Sequence, residues 1–196
     1  MRPGDARAPP GAQRPLIVGL GGTTRAGSST ERLLRRALRL AEAGGARVEL
    51  FAGDDLALPH YAPERPARDS AAARLVEALR AADGLLIASP GYHGSISGLV
   101  KNALDYAEDL RGDPRPYFEG RAVGCIAGAY GWQAANSTLS ALRAVVHALR
   151  GWPTPLGVAA NSAVLAFDPE GACVDDALDG QLSIMVGQVL WLARAA

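Results

Sequence analysis

The stretch that decides the fold is residues 87–106, which read IASPGYHGSISGLVKNALDY. Its first residues end an apolar run that begins at Gly84, and the run breaks at Ser89-Pro90. Small, polar and aromatic residues follow, and apolar residues return at helical spacing from about Ser97. A strand, a loop and a helix in this order form the unit of an open parallel sheet, whose ligands bind where loops leave the carboxyl ends of the strands. We therefore expect a ligand site here, with backbone N–H groups near the glycines and an aromatic face from Tyr92.

The same unit recurs along the chain. Apolar runs predict five strands: Leu16–Leu20, Val48–Phe51, Gly84–Ala88, Val123–Ala127, and an edge strand made of Trp152-Pro153 and the run Leu156–Ala159. Helical spacing predicts helices that begin near Ser28, Ser70, Ser97 and Asn136, and a last helix that carries Leu178, Leu182, Met185, Val189 and Leu192. That last pattern is typical of a buried helix face, with a dimer seam as the alternative. Strands that alternate with helices predict a doubly wound α/β sheet.

Length and composition limit the classes of protein. A chain of 196 residues is long enough for one buried domain, which we expect over residues 15–196, and residues 1–14 are expected to form a disordered tail. Lys and Arg together number 20, as do Asp and Glu, so nothing favours nucleic acid or an acidic membrane as partner. Two cysteines, Cys125 and Cys173, cannot build a disulfide framework, and no apolar stretch approaches a membrane span, so the expected location is the cytoplasm.

The loop after the first strand has the composition of an anion site. Gly21 and Gly22 lead into a helix whose predicted cap is Ser28, and a helix N-terminus favours negative charge. A triphosphate loop would need Lys where Ser28 stands, and the dinucleotide fingerprint would need a third glycine where Thr24 stands. Hydroxyls and one guanidinium remain, a set that can saturate a terminal monophosphate without a metal: Thr23, Thr24, Arg25, Ser28, Ser29 and Thr30. The alternative is that these hydroxyls only cap the helix.

A further loop with glycines and aromatics, residues 128–133, follows the fourth strand. Two such loops from neighbouring strands can clamp a planar ring between them.

The chain lacks the residues that two other classes of enzyme, serine hydrolases and metal-dependent hydrolases, need for their chemistry. In Gly94-Ser95-Ile96-Ser97-Gly98 the serines flank the central position that a hydrolase nucleophile would occupy, and the chain's three histidines are scattered singly.

Residues 89–98 form the motif Ser-Pro-x-Tyr-x-Gly-Ser-x-x-Gly, which a Lys-Asn-Ala-Leu-Asp helix follows. This motif resembles the flavin-contacting loop of the NAD(P)H-dependent FMN reductases. The resemblance implies a flavodoxin-like three-layer sandwich with a five-stranded parallel sheet in the order 2-1-3-4-5. It also implies FMN as cofactor and NAD(P)H as co-substrate. The family's Arg-x-x-Ser-x-Ser/Thr loop holds the flavin phosphate, and it matches Arg25, Ser28, Ser29 and Thr30 here.

The resemblance and the loop compositions together predict a cofactor site with no metal and no separate catalytic residue. Its predicted residues are Thr24, Arg25, Ser28, Ser29, Thr30, Pro90, Gly91, Tyr92, His93, Gly94, Ser95, Ile96, Gly128, Ala129, Tyr130 and Gly131. The family often has an amide where His93 stands and proline where Ser97 stands, so the ring contacts differ there.

Three functions remain open at this point. The first is a reductase that passes hydride from NAD(P)H to bound flavin, and then to free flavin for a partner monooxygenase or to a quinone or azo acceptor. The second is a flavodoxin-type one-electron carrier, which a neutral chain disfavours because such carriers are usually strongly acidic. The third is an α/β binding module without flavin. The resemblance also implies a homodimer or homotetramer.

Overall fold

The computed structural model describes residues 14–65, 67–168 and 174–195. The predicted tail, residues 1–14, lies outside these residues except for Arg14, which donates from Nε to Gly45 O at 3.0 Å and from Nη2 to Ala46 O at 2.8 Å. No helix in the described ranges is both long enough and apolar enough to cross a lipid bilayer.

One sheet organises the chain. Its strands are β1 (Leu16–Gly21), β2 (Arg47–Phe51), β3 (Gly84–Tyr92), β4 (Ser95–Ile96), β5 (Ala122–Ala129), β6 (Trp152–Pro153) and β7 (Val158–Asn161). The order is β2-β1-β3-β5-β6, with β7 also on β5, and all of these strands run parallel. The short β4 pairs antiparallel with β3. The predicted doubly wound order is therefore confirmed.

In the part of the chain that the structure describes, five helices cover the two faces of the sheet. They are α1 (Ser29–Ala43), α2 (Ser70–Ala81), α3 (Gly98–Asp105), α4 (Trp132–Ala148) and α5 (Asp176–Ala193), with 3₁₀ turns at Gly53–Leu56 and Tyr106–Leu110. One apolar core joins the sheet to α2, α3 and α4, and a second joins it to α1 and α5. This is the predicted three-layer sandwich, because β1, β3 and β5 are buried on both faces and need a helical layer on each side.

The helices begin where local side chains can cap them. The Asp69 carboxylate accepts from Ala72 N at 2.8 Å, and the Ser97 hydroxyl accepts from Val100 N at 3.2 Å. The Asp175 carboxylate likewise accepts from the first amides of α5. Such caps satisfy amide groups that have no partner within the helix, so a short-range signal places these boundaries.

Among the described residues the sheet has seven strands where the sequence predicts five. The first difference is the length of β3. It continues through Pro90 to Tyr92, four residues beyond the predicted end, because Pro90 remains in register with Gly128 of β5. A proline normally disrupts an inner strand, since it has no N–H to donate. Here β1 has already ended opposite Ala88, and backbone groups alternate sides along a strand, so the Pro90 nitrogen faces the side without a partner.

The predicted fifth strand is divided in two. β6 and β7 both pair with β5, and the chain between them leaves the sheet at Thr154–Gly157, which contains Pro155. The loop after β5 is also shorter than predicted. β5 runs to Ala129 and α4 begins at Trp132 instead of Asn136, with Gly131 at φ 105° making the sharp turn between them.

Candidate functional site at the carboxyl edge of the sheet

The three predicted ligand segments meet at one edge of the sheet. The Gly22 amide after β1 donates to Ala88 O of β3 at 3.0 Å. Pro90 of β3 lies in register with Gly128 of β5. The Thr30 methyl group of α1 lies against Gly128, where an added Cβ would lie 2.7 Å from it. The loop after β1, the extension of β3 and the end of β5 therefore form one continuous surface.

The turn that leaves β1 requires glycine. Gly21 has φ 142°, and a Cβ added there would lie 1.9 Å from Ala88 O. Gly22 follows at φ 95°, a region that L side chains rarely adopt. These two residues let the chain turn over β3 at close range, which directs the following loop across the sheet edge.

The N-terminus of α1 is capped from within the chain. The Ser28 Oγ accepts from Glu31 N at 3.3 Å and lies 3.4 Å from Thr30 Oγ1. The Glu31 carboxylate accepts from Gly27 N at 3.0 Å and from Arg35 Nε at 2.7 Å. The capping role that the sequence left open therefore applies to Ser28, and Thr30 contacts its hydroxyl; both residues are buried.

The accessible part of the predicted phosphate loop is the stretch before the cap. Thr24 and Arg25 are exposed and Ser29 is half-buried. In the ranges that the structure describes, the Arg25 guanidinium makes no hydrogen bond or ion pair. Its backbone is held, since the Thr23 Oγ1 accepts from Arg25 N and donates to Arg25 O, both at 3.1 Å. With the first amides of α1 nearby, this loop can hold an anion.

The segment predicted as an open loop, residues 90–96, is an ordered β-hairpin. Tyr92 pairs with Ser95, and His93 and Gly94 between them have φ of 50° and 85°. Two consecutive residues with positive φ make the tight hairpin turn whose twist matches that of its strands. Histidine is among the few non-glycine residues found with positive φ, so His93 fits this position.

The base of the hairpin is closed by a buried serine. The Ser89 Oγ accepts from Ser97 N and donates to Pro90 O, each at 2.9 Å. Ile96 is buried and packs into the core shared with α2, α3 and α4, while Tyr92 to Ser95 stay exposed. The hairpin is therefore anchored at both ends and presents its tip to solvent.

The glycines of the site have two different roles. A Cβ added to Gly91 would lie 2.4 Å from Thr138 Oγ1 and 2.9 Å from Ala129 Cβ, so Gly91, like Gly128, is small because protein atoms pack against it. No atom lies within 4 Å of a Cβ added to Gly94 or Gly131. Open space lies beside the backbone at these two positions, so an incoming ligand can approach it closely.

The turn after β5 is held by a residue from the neighbouring edge strand. The Asn161 Oδ1 accepts from Gly131 N at 2.9 Å and from Ala163 N at 3.1 Å. Beside it Tyr130 is 85% exposed, and Tyr92 on the hairpin is 54% exposed. Both aromatic rings are available for stacking at this edge.

A cavity of about 440 Å³ opens next to this turn, between α4, α5 and β7. Its polar lining includes Asn136, Asn161, Asp175 and Gln181, with Trp132 at one side. No cationic side chain belongs to its lining in the described ranges. The loop with Arg25 is thus the better place for a phosphate.

Cys125 of β5 takes no part in this surface. It is fully buried, and burial raises the pKa of its thiol to about 12. It stays protonated at neutral pH and packs as a small apolar residue, as the sequence predicts.

Two residues that shape the site are missing from the predicted set. Thr138 packs on Gly91, and Asn161 holds the turn at Gly131. Glu31, which accepts from the amide of Gly27, stands three residues after the cap Ser28, the spacing from which the sequence predicts a capping-box partner. No local sequence signal identifies Thr138 and Asn161 as site residues, because the residues that they contact are distant in the sequence.

Comparison with known proteins identifies related sequences. The family model described as NADPH-dependent FMN reductase matches residues 15–164. An FMN-dependent NADPH-azoreductase of Staphylococcus aureus is 37% identical over 98 residues, which are 50% of this chain and 48% of that protein. The chain thus spans about half the length of the curated relatives it matches.

Solved structures show the same fold at lower identity. An NAD(P)H:(acceptor) oxidoreductase flavoenzyme of Paracoccus denitrificans has a TM-score of 0.74 at 22% identity, covering 89% of this chain and 97% of its own. An NADH:FMN oxidoreductase in its apo form has a TM-score of 0.69 at 21% identity, covering 90% of this chain and 89% of its own. A flavodoxin, WrbA-like protein of Agrobacterium tumefaciens has a TM-score of 0.61 at 18% identity, covering 92% and 98%. The fold is flavodoxin-like.

Proposed function

Since the chain belongs to the NADPH-dependent FMN reductase family, we propose that it binds FMN at the carboxyl edge of the sheet and reduces it with NAD(P)H. The observation that carries this proposal is the meeting of three segments at that edge: a loop whose Arg25 guanidinium has no partner among the described residues, a hairpin anchored at its base, and the turn after β5. The S. aureus relative, whose name includes both FMN and NADPH, supports it.

The loop after β1 fits the phosphate group of FMN. Arg25 supplies a guanidinium free to form a charged hydrogen bond, and Thr24 and Ser29 supply hydroxyls nearby. Ser28 and Thr30 keep the end of α1 in place, so their main contribution is to position the amides of its first turn. The carboxylate of Glu31 is already matched by Arg35 and by an amide, which limits its repulsion of a phosphate.

The hairpin and the turn after β5 fit the flavin ring. Tyr92 offers an exposed aromatic face, the backbone at Gly94 is open for hydrogen bonds to the ring edge, and the space beside Gly131 lets the ring approach the turn closely. Bound FMN would supply the ring that accepts a hydride from nicotinamide. The protein residues bind and orient, so the proposal requires no acid or base pair.

The acceptor of the electrons is part of the proposal. We infer a small molecule: free flavin for a monooxygenase partner, a quinone or an azo compound. The name of the S. aureus relative supports the azo compound. The flavodoxin-type carrier is the second candidate, and the similarity in fold to a flavodoxin, WrbA-like protein supports it. A formal net charge of zero favours the enzyme over a carrier that docks by charge.

Location and assembly are proposals as well. We propose a cytoplasmic protein that acts as a homo-oligomer. The buried free thiol of Cys125 suits a reducing compartment. Fractionation of cells that express a tagged chain would check the location.

The decisive experiment is anaerobic absorption spectroscopy of the protein with FMN, before and after NADPH or NADH. We expect binding to change the flavin spectrum, and one of the nucleotides to bleach it repeatedly when a quinone or azo dye is added. Arg25→Ala at the same protein concentration is the matched control, because it should lower FMN occupancy without removing the fold. A normally bound FMN that neither nucleotide reduces would contradict the reductase and favour the carrier.

A further inference from the structure

The cavity of about 440 Å³ beside the turn after β5 has no role in the flavin binding proposed for this edge. It lies along the outer edge of β7, where Gly157, Ala159 and Asn161 line it, between the start of α4 and the start of α5. Sites for small molecules usually have volumes of about 300–1,000 Å³. The cavity is therefore large enough for a ligand of the size of a nucleoside.

Two backbone groups of β7 face this cavity and have no partner among the described residues. β7 pairs with β5 alone among the described strands, and Ser162 N donates to Ala129 O at 2.9 Å. Alternate residues of a strand bond to the same neighbour, so Ala160 also faces β5, whereas the C=O of Ala159 and the N–H of Asn161 face the open side. An acceptor beside a donor matches a planar group that carries the complementary pair. Adenine presents such a pair along its N6 and N7 edge.

Side chains of α4 and α5 add the other contacts that a nucleoside needs. The indole of Trp132 is 56% exposed at one wall of the cavity and offers a face on which a base can stack. The Gln181 amide makes no hydrogen bond within the described residues. Asp175 uses its Oδ1 to cap α5 at Ala177 N and Leu178 N. Its Oδ2 and the Gln181 amide are therefore open to the hydroxyl groups of a ribose.

The cavity is within reach of a molecule bound at the candidate flavin site. Asn161 belongs to both, since it lines the cavity while its Oδ1 accepts from Gly131 N at 2.9 Å. Ala159 is in register with Ala127, so roughly 8 Å separate it from Ala129 at the end of β5. The first amides of α4, which no side chain caps, lie between the two places and can bind a pyrophosphate. A dinucleotide whose nicotinamide lies at the flavin ring can therefore reach the cavity with its other half.

The charge of the cavity favours NADH over NADPH. NADPH carries an additional phosphate on the 2′ oxygen of the adenosine ribose, which dinucleotide sites accommodate with an arginine, whereas an acidic residue binds the free 2′ hydroxyl. From Gly151 to Ala193 the sequence contains no Lys or Arg. Arg143 of α4 approaches the base of the cavity at Gly157, but it donates to Thr154 O at 2.6 Å. The carboxylate of Asp175 is the one charged group in the described lining, and it repels a phosphate.

We propose that this cavity binds the adenosine half of the nicotinamide dinucleotide and selects NADH over NADPH, which rests on the proposed reduction of FMN by NAD(P)H. Trp132 stacks on the adenine, whose edge pairs with the C=O of Ala159 and the N–H of Asn161. Asp175 accepts a hydrogen bond from the adenosine ribose.

Anaerobic stopped-flow reduction of the FMN-loaded protein tests the site, because the dependence of the rate on nucleotide concentration gives the apparent Kd separately from the limiting rate. We expect the wild type to bind NADH at least about 10-fold more tightly than NADPH, the effect of one charged hydrogen bond. Ala177→Trp fills the cavity from the exposed first turn of α5 and should raise the Kd for NADH about 10-fold at an unchanged limiting rate. Ala144→Trp is the matched control, since Ala144 is also exposed but lies farther along α4, outside the lining. It should bind NADH as the wild type does.

Two further measurements separate this proposal from the reductase itself. Reduced nicotinamide mononucleotide, which has no adenosine, should reduce the wild type and Ala177→Trp with the same concentration dependence. Asp175→Asn keeps the oxygen that caps α5 but removes the charge, so it should narrow the preference for NADH. Equal FMN occupancy and circular dichroism check that the variants are folded.

The adenosine site would be overturned if Ala177→Trp bound NADH as tightly as the wild type, or if the wild type bound NADPH more tightly than NADH. FMN reduction would stand in either case, and an extended peptide paired with the edge of β7 would become the better occupant of the cavity. Failure of both nucleotides to reduce bound FMN would instead contradict the reductase, and the adenosine site with it.

Discussion

Arg25 is exposed and its guanidinium has no partner among the described residues. Arg36 and Arg68, by contrast, are engaged with carboxylates at 2.7 Å, which neutralises their charge. Arg25 is exposed beside the amides of a helix N-terminus and has no such partner in the described ranges. An anion that binds there would be its first strong interaction.

We therefore predict that Arg25→Ala weakens FMN binding by roughly 1.5–3 kcal/mol, or about 10- to 150-fold, because a charged hydrogen bond to the phosphate is lost. Riboflavin, which has no phosphate, should bind both proteins equally. Tyr92→Ala should weaken both flavins, since it removes a ring contact. Fluorescence titration measures all of these affinities.

Arg115→Ala serves as the control for Arg25→Ala, because Arg115 is also exposed but lies in the turn after the 3₁₀ segment Tyr106–Leu110. It should change neither affinity. If Arg25→Ala and wild type bound FMN equally, the phosphate would have to lie elsewhere.

The hairpin of β3 and β4 is the element on which the ring contacts depend. Its turn requires positive φ at two successive residues, and His93 at φ 50° is the one without the freedom of glycine. Its base is fixed by Ser89 and by the packing of Thr138 on Gly91. The shape of the ring site is thus set by backbone conformation more than by side-chain chemistry.

His93→Asn and His93→Val separate these two contributions. Asparagine tolerates positive φ, so His93→Asn should leave the urea unfolding free energy within about 0.5 kcal/mol of wild type. A β-branched residue is strained there, so His93→Val should lower it by roughly 1–2 kcal/mol and weaken riboflavin as well. Equal stability of the two variants would mean that the turn does not adopt this conformation in solution.

At the scale of the whole molecule, ion pairs join segments that are distant in the chain. Asp109 accepts from Arg68 at 2.7 Å through two nitrogens and from the Tyr61 hydroxyl at 3.1 Å. Asp179 of α5 accepts in the same bidentate way from Arg36 of α1. The hydrogen bonds from Arg68 lower the pKa of Asp109, and those from Arg36 lower the pKa of Asp179.

Because the pKa values of Asp109 and Asp179 are lowered in the folded protein, its free energy of unfolding depends on pH. A carboxyl group whose pKa is lower in the folded state stabilises the fold above its unfolded pKa of about 3.9, and this contribution is lost as the pH falls through the folded pKa. Asp109→Asn should therefore lower the unfolding free energy at pH 7 by about 1–3 kcal/mol. The difference from wild type should shrink in urea titrations below about pH 4.

Asp105→Asn is the matched control, because its pairing with Lys101 is exposed on α3. Such a pair contributes at most about 0.5 kcal/mol. A pH-independent loss in Asp109→Asn would show that packing, and not the charge, is responsible.

The parts of this protein that the sequence alone determined are those with short-range causes. The caps at Ser28, Asp69 and Ser97 satisfy amides three residues away, so the helix starts could be predicted from neighbours in the chain. Apolar periodicity likewise predicted the alternation of strands and helices, and with it a doubly wound sheet. The order of the strands, which brings three segments to one edge, was implied by the resemblance of residues 89–105 to the FMN reductases. The ligand contacts of the individual site residues stay predictions.

Only the tertiary structure decided the features that depend on distant neighbours. β3 extends through Pro90 because β5 continues beside it while β1 has ended, which local propensity cannot report. Gly91 is small because of Thr138, nearly fifty residues later, and Asn161 holds a turn thirty residues before it. The outer face of α5 is exposed for the same reason: periodicity shows which residues are apolar, but only packing shows which of them the rest of the chain fails to cover.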